Sequence, residues 1–79
     1  MQKIRPDLDI GHNIGTLRKV AKLTQDQTLA KLQVMGIEIS KSTYAKIETN
    51  RMNIKVSELV ALKHIFGVGF DAFFEGLDE

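Results

Sequence analysis

At 79 residues the chain is one domain with a single, thin core. It holds no cysteine, which excludes a disulfide framework and thiolate metal sites and fits a reducing, cytoplasmic setting, and no apolar run suggests a membrane span or a secretory leader. The formal net charge of +1 hides an asymmetry: residues 1–55 hold ten of the eleven Lys/Arg against five acids, whereas residues 56–79 hold Lys63 alone against five acids. Chance aside, that distribution fits a basic body facing a polyanion and an acidic end facing elsewhere.

Helical spacing recurs along the chain and no segment alternates as a strand would. A first helix is expected to start after Asp9 or Asp7, with Ile10, Ile14, Leu17 and Ala21 as its apolar stripe. Gly11 and Gly15 weaken it by roughly 1 kcal/mol each relative to alanine, unless Gly15 serves a close helix contact. A second helix opens at Thr24-Gln25-Asp26-Gln27, a capping box with Thr24 as N-cap, Gln27 reaching back and Asp26 favourable in the first turn. Leu29, Leu32 and Met35 are expected to point inward, and Gly36 is a natural C-terminal residue with a positive φ.

Ile37 and Ile39 flank Glu38 in an extended connection pinned to the core. Ser40 then caps a third helix that runs to about Thr49, with Asn50 as a left-handed stop. A fourth helix, about Val56 to Phe66, is apolar nearly all round through Val56, Leu59, Val60, Leu62, Ile65 and Phe66, so it should be buried on more than one side. Gly67 ends it, and a last short helix covers about Phe70 to Phe74. The expectation is a compact all-α domain of five helices, with its core spanning about residues 10–77.

The third helix has an unusual outer face. At about 100° per residue, Lys41, Ser42, Ala45, Lys46 and Thr49 fall together, while Thr43, Tyr44, Ile47 and Glu48 fall on the other side. Two lysines, two hydroxyls and a methyl suit the DNA major groove: lysine donates to guanine O6 and N7, hydroxyls donate or accept, and a methyl meets thymine. Arg51, just beyond, is placed for a phosphate, and the free amides near Gln25 at the start of helix two form a second phosphate site. A merely solvated helix with scattered lysines fits the third helix taken alone equally well.

A capped helix, a turn and a second capped helix with a basic outer face form a helix-turn-helix arrangement. Here the sequence resembles the lambda-repressor-like family of helix-turn-helix proteins (Cro, the phage repressors and XRE-type regulators). The resemblance covers about Ile10 to Phe74 and is carried by "IGTLRKVAKLTQ", "SKSTYAKIETNR" and "FGVGFDAFF" in that order. It implies that Lys41, Ser42 and Lys46 read bases, with Ala45 beside them. It implies that Gln25, Thr43, Thr49, Asn50 and Arg51 contact the DNA backbone, Gln25 also supporting the reading helix. It implies that Arg18 and Glu48 form a charged pair tying helix one to helix three. The chain departs from the family in its longer connection from Leu32 to Ser40, in Thr28-Leu29 for a leucine-alanine pair, in Lys22 for a glycine after helix one, and in Asn50 for a glycine after helix three.

His12 and His64 stand apart without clustered ligands, and no phosphate loop or nucleophile–base set is present, so neither a metal, a cofactor nor an enzymatic role is expected. The C-terminal apolar cluster either closes the core over helix one or lends part of itself to a dimer, with Val60, Phe70, Phe73 and Leu77 as interface candidates. A two-fold dimer spaces its reading helices about 34 Å apart, one turn of DNA. The function expected is a sequence-specific transcriptional regulator of prokaryotic or phage type, binding operator DNA as a homodimer, with no membrane partner and no small-molecule effector. Restriction–modification controllers and antitoxin-type autoregulators share this size. The alternative is a protein-interaction module on the same fold.

Overall fold

The helices begin where a side chain takes up their first free amides. In the computed structural model, which describes residues 9–76, Asp9 accepts from the His12 N–H at 2.9 Å and starts α1 (Ile10–Val20). Thr24 accepts from the Gln27 N–H at 3.0 Å, and Gln27 Oε1 accepts in return from the Thr24 N–H at 2.9 Å, so both halves of the expected capping box open α2 (Gln25–Val34). Ser40 accepts from the Thr43 N–H at 3.1 Å and starts α3 (Lys41–Glu48). At α4 (Val56–Phe66) the N-cap is Lys55, which has no acceptor to offer. Only the return half forms, with Glu58 Oε1 accepting from the Lys55 N–H at 2.8 Å.

The helices end alike. Lys22, Gly36, Asn50 and Gly67 follow the four helices in chain order, and each has φ between 61° and 85°. After each the next amide reaches back to close the turn: Leu23 N–H to Arg18 O at 3.1 Å, Ile37 N–H to Leu32 O at 3.0 Å, Arg51 N–H to Lys46 O at 2.8 Å, and Val68 N–H to Lys63 O at 3.2 Å. Glycine or asparagine takes this conformation with little strain, but for lysine it costs about 1–2 kcal/mol.

The result is a compact all-α domain of four helices plus a 3-10 turn (Phe70–Phe74), with no strand among the described residues. The segment expected as a fifth helix is this tighter turn, which is common for a five-residue piece with no room to propagate. The core gathers Ile14, Leu32, Tyr44, Ile47, Ala61, Leu62, Phe66 and Phe73. Ile10, Leu17 and Ala21 pack against it as the α1 stripe predicts, and Ile37 and Ile39 pin the connection between α2 and α3.

Several apolar residues stand elsewhere than expected. Met35 points outward at the end of α2, and Val56 is 78 % exposed because it sits in the first turn of α4, ahead of the part that the other helices cover. Thr28 is buried, its hydroxyl satisfied by donating to Thr24 O at 2.9 Å, so it serves as a core residue. Phe73, a candidate for a dimer interface, is 0 % exposed and packs on Phe66 with ring centroids 6.4 Å apart, so it has no surface to give a partner. Leu77 lies outside the described residues, as does Asp7, the other expected helix start.

Asn13 fastens α1 to the 3-10 turn. Its amide donates to Phe73 O at 2.8 Å and to Glu75 O at 3.0 Å. No helix among the described residues is long and apolar enough to cross a membrane.

Candidate nucleic-acid interface

The third helix is held first by its buried side. Tyr44 and Ile47 enter the core, and at its C-terminal end α1 crosses so closely that a Cβ on Gly11 would overlap Ile47 O and lie 2.9 Å from Asn50 N. Gly15 faces the Glu48 carboxylate, where a Cβ would stand 3.2 Å from Oε1. Both glycines of α1 therefore serve this crossing, although only Gly15 is an expected contact from sequence.

Glu48 is the centre of the arrangement. Arg18 donates from Nε to Oε2 at 2.7 Å and from Nη2 to Oε1 at 3.2 Å, a bidentate pair. Gln25 Nε2 donates to the same Oε1 at 3.0 Å, and Arg18 Nη1 donates to Leu23 O at 2.7 Å. One carboxylate thus joins α1, the start of α2 and the end of α3, and the side chains of the pair are only 11 % and 9 % exposed. Burial acts to raise the Glu48 carboxyl, but the hydrogen bonds from Arg18 and Gln25 outweigh it and hold the group below the ordinary range. The hydrogen bond to Glu48 likewise raises Arg18 against the opposing effect of burial. Burial first, then Glu48, push the Tyr44 phenol well above the usual tyrosine value.

With its acid turned inward, α3 presents outward Lys41, Ser42, Lys46 and Thr49, all exposed, with Ala45 half-buried between them. Thr43 is half-buried and shares a hydrogen bond with the cap, Ser40 Oγ donating to Thr43 Oγ1 at 3.0 Å. Thr49 is turned back on its own helix, its hydroxyl donating to Ala45 O at 3.0 Å, while Arg51 Nε donates to Thr49 Oγ1 at 3.2 Å. Asn50 turns the chain at φ 61°. Gln25 supports α3 through Glu48 with one hydrogen of its Nε2, and the same nitrogen carries a second hydrogen that can donate to a phosphate.

Two features were not visible in sequence. Asp26 comes to the edge of the outer face, its Oδ1 3.1 Å from the Lys41 ammonium, with both side chains well exposed. The acid-free face of α3 therefore has an acid beside its first residue, supplied by the first turn of α2. Grooves also run on both sides of the 35–40 connection, one lined by Leu29, Gln33, Ile37 and Ile39, the other by Ile39, Thr43 and Met52. The missing signal in both cases is tertiary, because Asp26 and Lys41 are far apart in the chain.

No protein family, curated protein or solved structure matches the chain in comparison. Among the described residues no group of three or more His, Cys, Asp or Glu is arranged to hold a metal ion. Of the residues proposed for an interface on sequence grounds, Val60 is half-buried and Phe70 exposed, and the Lys63 ammonium lies 5.4 Å over the Phe70 ring.

Proposed function

We propose that this chain is a sequence-specific DNA-binding regulator of the lambda-repressor-like helix-turn-helix type, with α2 and α3 as the two helices of the motif and α3 in the major groove. The observation that carries the reading is the division of α3. Its only acid is pinned inward by Arg18 and Gln25, and its solvent side offers lysines and hydroxyls around a small Ala45. A face of that chemistry matches base edges and lets the backbone of the helix approach closely. Lys41, Ser42, Ala45 and Lys46 read bases; Arg51, Asn50, Thr49, Thr43 and Gln25 sit along the DNA backbone. The protein carries no catalytic step and works in the cytoplasm.

A lone short helix contacts few base pairs, so the regulator acts as a homodimer on a two-fold operator. Val60 and Phe70, with the exposed Phe74, remain available for the dimer. The same two phenylalanines support a second reading, in which the fold is a protein-interaction module.

Selection of bound sites from random duplex DNA tests the proposal. A recovered palindrome with half-sites one helical turn apart supports both the regulator and the dimer. The logarithm of affinity should fall linearly with the logarithm of salt, with a slope of about −0.9 per phosphate contact. Failure to bind any duplex at low salt sinks the DNA reading and favours the interaction module. Lys46→Ala should relax preference at particular base pairs by about 1–3 kcal/mol, whereas Arg51→Ala should weaken all sequences alike. Equal behaviour of the two substitutions would refute this sorting of base and backbone contacts.

A further inference from the structure

All four helices end on a residue with positive φ, but they divide by residue type. After α2 and α4 the position is glycine, and a Cβ there would meet nothing within 4 Å at either Gly36 or Gly67. Glycine is therefore used at those two ends for backbone conformation and not for space. After α3 it is Asn50, which tolerates the left-handed region. After α1 it is Lys22, with φ 63°, and lysine has no such tolerance.

The strain at Lys22 is imposed by a firmly closed turn. The Lys22 N–H donates to Lys19 O at 2.9 Å, the Leu23 N–H donates to Arg18 O, and Leu23 O in turn accepts from the Arg18 guanidinium. Nothing in the fold repays a lysine here. Its side chain is exposed, and neither an ion pair nor a hydrogen bond engages it among the described residues. A solubilising lysine can stand on any exposed helical position without strain. A strained residue with an unengaged cation is a candidate for contact with something outside the chain.

The place of the turn indicates what that is. Lys22 lies two residues before Thr24, the cap of α2, and the carbonyl of the next residue, Leu23, accepts from the same Arg18 guanidinium that holds Glu48 at the end of α3. Gln25, at the start of α2, and Arg51, just past the end of α3, are among the backbone contacts of the proposed interface. We infer that Lys22 is a further DNA-contacting residue, its ammonium binding a backbone phosphate from the rigid turn between α1 and α2. The assignment rests on the DNA-binding reading and adds to it a residue whose contribution to binding opposes its effect on stability.

The test measures both properties on the same proteins. Wild type, Lys22→Gly, Lys22→Asn and Lys22→Arg are titrated onto random-sequence duplex DNA over a salt series, because phosphate contacts need no operator, and each is melted thermally. Lys22→Gly should melt higher, by roughly 4–8 °C for relief of one strained residue in a domain of this size. It should bind several-fold more weakly, with a salt slope shallower by about 0.9. Lys22→Asn should show the same binding loss, and Lys22→Arg should bind and melt as wild type does. If wild type binds and the glycine and asparagine variants bind equally well with an unchanged slope, Lys22 is not a contact and the inference falls while the DNA reading stands. If wild type itself binds no duplex at low salt, the DNA reading falls and takes this assignment with it.

Discussion

The two ends of α3 are held very differently. The C-terminal end is fastened from three directions: by the Arg18–Glu48 pair, by Gln25, and by the close passage of Gly11 over Ile47 O. The N-terminal end has the Ser40 cap, an ion pair between Lys41 and Asp26 that is 61 % and 72 % exposed, and a connection with a groove on either side. A paired charge shielded from water is expensive to disrupt, whereas an exposed pair contributes at most about 1 kcal/mol. The helix is thus anchored where it leaves the proposed groove contact and more adjustable where Lys41 and Ser42 face it.

The difference can be broken or sharpened by substitution. Arg18→Ala should have the largest effect, about 3–5 kcal/mol, because it leaves Glu48 enclosed without its partner. In a domain of this length, stabilised by roughly 4–12 kcal/mol, urea unfolding should show a large loss or no folded state at all. Gly11→Ala should follow at about 1–3 kcal/mol, since the added methyl overlaps backbone and the gain in helix propensity is smaller than the strain. A midpoint unchanged from wild type would mean that α1 and α3 do not cross as closely as the structure has them.

Acid should act on the same end. The folded Glu48 carboxyl titrates below the ordinary carboxylate value of about 4.3, so its contribution is complete above that pH. It is lost as pH falls through the lower folded value. The stability difference between wild type and Glu48→Gln should therefore be largest near neutrality and should shrink on acidification below pH ~4. A difference that grows on acidification would contradict the direction of the shift. The smallest effect belongs to the other end: Asp26→Asn should change stability by no more than about 0.5–1 kcal/mol. If it matches the loss in Arg18→Ala, the two ends of α3 are equally anchored and the comparison fails.

Local signals account for how much was legible beforehand. Asp9, Thr24 and Ser40 announce helix starts because a cap needs only residues within three positions of one another. Gly36, Asn50 and Gly67 announce stops because φ is a property of one residue. The Arg18–Glu48 pair was foreseen through family resemblance rather than from spacing. Thr28 as a core residue and the role of Gly11 were not foreseen, and for Phe73 the sequence left core and dimer interface as alternatives. Each depends on what another element brings alongside. For Thr28 a polar residue became an interior one once its hydroxyl was satisfied within its own helix.

What the sequence by itself determined is therefore the helical grammar: where each helix begins and ends, which stripe is apolar, and that α3 has one basic, hydroxylated side. These follow from interactions between residues within a turn or two of each other. Only the tertiary structure decided that Glu48 joins three helices, that Asp26 reaches Lys41, and that Phe73 belongs to the core. Those depend on distances between distant parts of the chain, which no local pattern encodes.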